Sequence, residues 1–221
     1  MSTVPLVSII VPVYNQEKFL GRCLRSLRAQ DFPREEYEVV VVDDGSSDGT
    51  GLVLDLHRED IRILRNEVNA GLPTALNMGI RSSSSMFTVR VDSDDYVNAE
   101  FIRVLYTFLA QNQYMDAVAC DYFLVDDTET VLERRNCDDH PIACGIMFRT
   151  DQLIDVGLYD EDFLLHEERD LRLRFLEQHR IHRIEAPLYR YRRHSGNITN
   201  DVEAMARHFD KLVDKHGEQN A

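Results

Sequence analysis

Along the first half of the chain, short unbroken apolar runs alternate with segments whose apolar positions recur every three or four residues. Val7-Ser8-Ile9-Ile10-Val11-Pro12-Val13 and Val39-Val40-Val41-Val42 are β-branched runs, apolar at nearly every position. Such runs predict strands covered on both faces, as in a parallel sheet, because a strand with one wet face would alternate. Ile61 to Leu64 and Phe87 to Val91 predict two further strands. From Glu17 onward, Phe19, Leu20, Cys23, Leu24 and Leu27 fall on one helical face. Ser47 or Asp48 can cap a helix after the second run, and Pro73 suits the first turn of a helix opening with Ala70-Gly71-Leu72. Strands and helices alternate in this way to about residue 113, which predicts an α/β fold with a doubly wound, mainly parallel sheet.

The pattern changes beyond that point. Ala117 to Val125 predicts a strand, and Thr130 to Arg134 can return beside it across Asp126-Asp127-Thr128. Cys144 to Phe148 predicts another, and Ile181 to Tyr191 reads as extended. Glu167 to Gln178 and Val202 to His216 are helical, the latter with Ala206, Phe209, Leu212 and Val213 on one side. That side can pack on the chain's own core or on a second subunit, so the oligomeric state stays open. There is no internal repeat and no linker-like stretch. One domain over residues 1–221 is the economical organisation, divided at about residue 113.

The charge balance narrows the partners. With 25 Lys and Arg against 39 Asp and Glu, the formal net charge is -14. That is the wrong sign for neutralising a nucleic acid, so no nucleic-acid partner is expected, and an anionic membrane surface is disfavoured in the same way. A small anion remains admissible if a divalent cation screens it. No apolar run approaches the roughly 20 residues that cross a bilayer, and no basic segment leads into a signal-like core. The expected location is cytoplasmic. Cys23, Cys120, Cys137 and Cys144 form no CxxC pair and fit no zinc spacing, so buried reduced thiols are expected.

In an open parallel sheet, ligands bind beyond the carboxyl ends of the strands. The loops there contain Tyr14-Asn15, Asp43-Asp44 and Asp92-Ser93-Asp94-Asp95. The first loop has neither GxGxxG nor GxxxxGK[ST], which argues against a dinucleotide fingerprint and a P-loop. Its Tyr14 ring can stack on a base, and the Asp44 carboxylate can accept from a base or ribose donor; ordinary packing and turn roles compete with both. Three acids in four positions repel one another unless a cation is present. Hard carboxylate oxygens favour Mg²⁺ or Mn²⁺, which bind phosphate oxygens in their remaining positions. Asp92 and Asp94 can therefore bridge an acidic protein to a diphosphate through a metal, against the alternative of a solvated turn.

The segments VSIIVPVYN, VVVVDDGSSDGT, NAGLPTALNMGI, VRVDSDDYV, HEERDLRLR and YRYRRHSGNIT occur in this order from Val7 to Thr199. Together they resemble a family 2 glycosyltransferase of the GT-A fold. The resemblance implies a Rossmann-like nucleotide-binding half over about 1–113 and a smaller acceptor-side half over about 114–221. It implies an inverting transferase with a nucleotide-diphosphate sugar donor, most often a UDP-sugar, and a glycan, lipid-linked or other hydroxyl acceptor. Polysaccharide or other cell-surface glycan assembly is the family-level expectation.

Carried over by position, the resemblance implies that Pro12, Tyr14 and Asp44 hold the base. Asp92 would contact ribose or metal, Asp94 would ligate the metal, and Asp95 would support the loop. Inversion needs a general base opposite the leaving group, and the acidic pair Glu167-Glu168 matches the family's position for it. Glu168, the second of the pair, is the expected base, with Glu167 as the alternative. Arg192, Arg193 and His194 lie in the family's C-terminal motif and would close over the diphosphate, His194 as a possible metal ligand. Residues 145–148 and 157–160 resemble the segment that shapes the acceptor side. Leu76 departs from the pattern, standing where many relatives carry Arg. Two other classes compete: a degenerate module that binds nucleotide sugar without turnover, and a sugar nucleotidyltransferase. The latter usually carries a basic, Gly-rich first loop, and residues 11–17 contain none.

Overall fold

The computed structural model describes residues 4–197 and 202–217. Four strands, β1 (Val7–Val13), β2 (Tyr37–Asp43), β3 (Arg62–Arg65) and β4 (Phe87–Arg90), pair in parallel in the order β3-β2-β1-β4. Register runs from Val7 opposite Tyr37 to Val13 opposite Asp43, so β1 and β2 end together. Three helices make the crossovers: α1 (Leu20–Arg28), α2 (Thr50–Leu56) and α3 (Leu72–Ser82). These match the expected elements, with α1 starting three residues later than the apolar pattern alone suggests. Position 49, a glycine, precedes α2 directly, yet the Asp48 carboxylate accepts from the Thr50 amide at 2.9 Å and satisfies one of the helix's orphan donors.

The sheet continues past β4 with mixed pairing. The two-residue β5 (Tyr96–Val97) follows the acidic loop, and α4 (Phe101–Gln111) leads to β6 (Ala117–Val125). β7 (Val131–Arg135) returns antiparallel to β6 across the expected polar turn. β8 (Ile146–Arg149) lies antiparallel between β4 and β6, two residues later in its start than the apolar pattern suggests. After α5 (Thr150–Asp155) and α6 (Glu167–Leu176), the long β9 (Ile181–Arg192) runs parallel to β6 and pairs antiparallel with β5. The described strands form one nine-stranded sheet, with the parallel doubly wound part at one side.

Both faces of β1 are covered, which is why its sequence does not alternate. Val7, Ile9, Val11 and Val13 join Leu20, Cys23, Leu24 and Leu27 of α1 and Phe101 and Leu105 of α4 in one core cluster. Ile10 points the other way, into a second cluster with Ala75, Leu76 and Ile80 of α3 and Leu171 and Phe175 of α6. The approach of α3 to β1 is close enough to require glycine: a Cβ on Gly79 would sit 2.6 Å from Ile10 Cγ2. Leu76 is fully buried in this packing. Position 76 therefore serves core packing in this chain.

The last helix, α7 (Val202–His216), packs on the chain's own α6 side. Leu212 is fully buried, Phe209 sits edge-on to His166, and Arg169 lies over the Phe209 ring. Lys215 and His216 reach the buried Asp170 at 2.6 and 2.8 Å. Ala206, expected on the packed side, is exposed instead. Ile198 and Thr199, the last residues of the final motif, lie outside the described residues. All four cysteines are free and buried, as expected. Among the described residues no helix is long and apolar enough to cross a membrane.

Candidate active site

The carboxyl ends of β1, β2 and β4 converge, as the parallel topology dictates. They open on a crevice of about 480 Å³ lined by Pro12, Tyr14, Asp44, Gly71, Asp92 and Asp94, with Arg90 and Leu164 on its inner wall. Tyr14 is 46% exposed and not committed to core packing. Asn15, in a left-handed conformation with φ 51°, accepts from the Ser47 amide at 2.8 Å and latches the first loop to the second. Asp44 is buried, and its carboxylate organises the loop before α3. One oxygen accepts from Asn66 Nδ2 at 2.7 Å and the Ala70 amide at 2.9 Å, and the other accepts from the Gly71 amide at 2.9 Å. Gly71 has φ 98°, and a Cβ there would meet Leu164 at 2.8 Å, so this corner of the crevice admits only glycine.

The acidic loop is held from beneath. Asp95 is buried and takes hydrogen bonds from the Tyr189 hydroxyl (2.8 Å) and the Arg192 amide (2.7 Å). Burial, with the charges of Asp94 and Asp92 adding to it, pushes the Asp95 carboxyl well above the usual range. This is the supporting role the resemblance implies. Tyr189 also accepts from the Asp92 amide at 3.1 Å, so one hydroxyl pins both ends of the loop. The Arg192 guanidinium is buried and donates to the Asp94 carbonyl at 2.8 Å, with its carbon 4.9 Å from the Phe19 ring centroid. Its other nitrogens face the Asp126 and Asp127 carbonyls at 3.4 and 3.3 Å and Glu129 Oε1 at 3.5 Å, so a guanidinium expected over a diphosphate is tied instead to the acidic loop and the β6–β7 turn.

Asp92 and Asp94 have different partners. Asp92 receives Arg90 Nε at 2.6 Å and a second Arg90 nitrogen at 3.2 Å, a forked pair. Asp94 Oδ2 lies 2.9 Å from His194 Nε2 and 3.4 Å from Asn197 Nδ2. The two residues expected to hold a metal are therefore brought together; the carboxylate oxygen suits Mn²⁺ or Mg²⁺, and the imidazole nitrogen beside it favours Mn²⁺ of the two. Asp92, Asp95 and Cys144 also bring one donor atom each within 4.8 Å of the others. That group fits a hard cation less well. Asp95 is already hydrogen-bonded, and burial pushes the Cys144 thiol well up, leaving a neutral sulfur.

Arg90 joins this loop to α6. Its other side donates to Glu167 Oε1 at 2.9 Å, both side chains being nearly buried. Burial pushes the Glu167 carboxyl up, to about 7, with Glu168 adding to the rise and Arg90 opposing it. His166 precedes the helix in a left-handed conformation, φ 62°, and its Nε2 lies 3.1 Å from the Met205 carbonyl of α7. Three acids, Glu167, Glu168 and Asp170, fill the first turn of α6, where the helix dipole favours them.

Glu168 is partly exposed and lines a second cavity of about 510 Å³, together with Ile146, Phe148, Tyr159, Arg172 and Arg193. The segments expected to shape an acceptor side supply Ile146, Phe148 and Tyr159 to it. Arg193, expected at the diphosphate, lies on this cavity and not among the residues lining the crevice. Arg90 and Tyr189 escaped the sequence reading. The one available signal for Arg90 was a charge ending an otherwise apolar strand; Tyr189 offered none, since an aromatic in a strand reads as core.

A family profile described as Glycosyl transferase family 2 matches residues 8–182. Over 108 residues the chain is 39% identical to the Staphylococcus aureus poly(ribitol-phosphate) beta-N-acetylglucosaminyltransferase TarS, covering 48% of this chain and 19% of TarS. Glycosyltransferase GlyG of Streptococcus pneumoniae is 28% identical over 221 residues, covering 87% of this chain and 72% of GlyG. Among solved structures, S. aureus TarS in complex with UDP superposes with a TM-score of 0.74 at 25% identity, covering 91% of this chain and 64% of that one. The mannosyltransferase PcManGT of Pyrobaculum calidifontis, solved with GDP-Man and Mn²⁺, shares the fold with a TM-score of 0.74 at 19% identity, over 96% of this chain and 65% of that one. The chain spans about a fifth of the full length of TarS.

Proposed function

The chain belongs to glycosyl transferase family 2, and we propose that it moves a sugar from a nucleotide-diphosphate donor, a UDP-sugar first among them, to an acceptor hydroxyl with inversion. The observation that carries this reading is the Arg90 bridge. One buried guanidinium ties Asp92 at the crevice to Glu167, whose neighbour Glu168 lines the adjoining cavity. A donor in the crevice and an acceptor in the cavity then meet at that wall.

Each residue has a task in this scheme. Tyr14 stacks on the base, Pro12 shapes the floor beneath it, and Asp44 accepts a base donor with the lone pairs its loop contacts leave open. Asp94 and His194 hold the divalent ion, with Asp92 beside them on ribose or metal. When bound, the ion neutralises charge developing on the departing diphosphate, so no protonated carboxyl is needed for leaving. The acceptor oxygen bonds to the anomeric carbon as the bond from that carbon to the diphosphate oxygen breaks, and the acceptor proton passes to Glu168. Glu168 is favoured over Glu167 as base because Glu167 is enclosed and paired with Arg90, while Glu168 is reachable from the cavity. The structures of TarS with UDP and PcManGT with GDP-Man and Mn²⁺ support the donor class and the metal by likeness.

A thermal-shift panel of UDP, GDP, dTDP and CDP, each with Mn²⁺, Mg²⁺ or chelator, tests the donor half of this reading. Stabilisation by one nucleotide that chelator abolishes is the expected result. No response to any nucleotide would overturn it.

A further inference from the structure

The cavity beside Glu168 has a charge character opposite to that of the chain. In a protein with 39 acids and 25 Lys and Arg, its lining includes Arg135, Arg169, Arg172 and Arg193 against two carboxylates, Asp139 and Glu168. Asp139 is partly satisfied, accepting from Asn136 Nδ2 at 2.7 Å. The basic groups are mostly not. Arg172 is half-buried, and no hydrogen bond or ion pair of its side chain is present among the described residues; the same holds for the exposed Arg193. Among the described residues, the Arg169 side chain has only its stacking over Phe209. Arg135 pairs with Glu133 at 2.7 Å, but its Nε is buried without a hydrogen-bond partner. A buried donor left unpaired costs about 1–3 kcal/mol, more when charged, so this cavity-lining arginine lacks its full set of acceptors.

The apolar walls of the same cavity, Ile146, Phe148, Leu124 and the Tyr122–Tyr191 pair with ring centroids 6.1 Å apart, suit a ring or chain rather than a bare ion. Guanidinium groups recognise oxyanions by parallel N–H···O bonds, and a neutral hydroxyl acceptor has no use for several unpaired ones. The net charge of -14 would also repel an anion approaching from afar, so a local concentration of positive charge is what admits one. Resting on the reading of Glu168 as the base at an acceptor cavity, we infer that the acceptor is anionic: a hydroxyl compound carrying a phosphate or carboxylate group, held by Arg172 and Arg135 while its hydroxyl faces Glu168.

The test uses the whole chain saturated with UDP and Mg²⁺, so that the donor crevice is filled and its occupancy is measured in the same sample. Glycerol 3-phosphate, glycerate and glycerol are titrated while the arginine Nε–H resonances are followed by NMR. Saturable binding of glycerol 3-phosphate or glycerate, and none of glycerol at the same concentrations, is expected; which of the two binds more tightly identifies phosphate or carboxylate as the group. Arg172→Gln should weaken that binding roughly ten-fold or more, as expected for one lost charge-assisted hydrogen bond, and Arg172→Lys should recover part of it. UDP binding should be unchanged in both variants. Equal binding of glycerol, no saturable binding of either anion, or indifference to Arg172→Gln would overturn the inference while leaving the donor reading intact. Loss of UDP binding by the unsubstituted protein would strike the donor reading instead.

Discussion

His194 and Asp94 stand a hundred residues apart in the chain and meet with Nε2 2.9 Å from Oδ2. The contact folds the segment after β9 down onto the acidic loop after β4. It is reinforced by Asn197 on the same oxygen and by Arg192, which grips the loop from its buried side. Gly196, in that same segment, lines the crevice alongside residues from the loops after β1, β2 and β4.

Asp94→Ala should abolish metal-dependent stabilisation by UDP. His194→Gln should weaken metal affinity roughly ten- to hundred-fold, as when a ligand or its orienting partner is lost. Titrating Mn²⁺ into the UDP-bound protein checks both. Metal affinity unaltered in Asp94→Ala would remove the metal from this site.

The Arg90 bridge makes a stability prediction. Arg90→Met removes the cation shared by Asp92 and Glu167 and should destabilise the protein by about 2 kcal/mol, the worth of lost hydrogen bonds to charged groups, read from urea unfolding. Adding Glu167→Gln to Arg90→Met should restore part of that loss, because no buried carboxyl then has to be held protonated near neutral pH. A cost below about 1 kcal/mol for Arg90→Met would mean that water already reaches the pair.

Acid stability should carry a signature of Asp121. Hydrogen bonds from Arg183 at 2.8 and 2.9 Å, with Arg134 at 3.0 Å, lower its carboxyl from 3.8 to about 2, despite burial pulling the other way. The folded state therefore holds the proton less readily than the unfolded state. Between those two values the unfolded chain binds more protons, so stability rises with pH through the window. The contribution is fully present above about pH 5 and is lost as pH falls toward 2. It amounts to about 2 kcal/mol. In Asp121→Asn that part of the pH dependence should vanish from denaturation midpoints measured between pH 2 and 5. An unchanged slope would contradict the assignment.

The parallel half of the fold was legible because β1 and β2 are buried on both faces, and a continuous β-branched run has few other uses. The acidic loop was legible for the opposite reason: Asp92 and Asp94 serve no packing purpose, so their spacing had to mean chemistry or a turn. Tyr96 and Val97 were not readable as a strand, because two residues carry no period and their pairing depends on β9. Arg90 was hidden for a related reason. Its partners lie 2 and 77 residues away, and only the folded sheet shows that both converge on one guanidinium. Arg192 and Arg193 are neighbours in sequence, yet Arg192, the last residue of β9, is buried beneath the acidic loop while Arg193, just beyond the strand, lies on the second cavity.

The central claim is that Glu168 takes the acceptor proton while the crevice holds the donor, and Glu168→Gln separates the two roles most directly. UDP affinity with Mn²⁺ and single-turnover transfer from a UDP-sugar should be measured on the same preparation. UDP affinity within about two-fold of the unsubstituted protein, with transfer reduced by roughly 10² to 10⁴, is the predicted outcome for loss of a general base. Transfer at the unsubstituted rate with intact UDP binding would contradict it and move the role to another group.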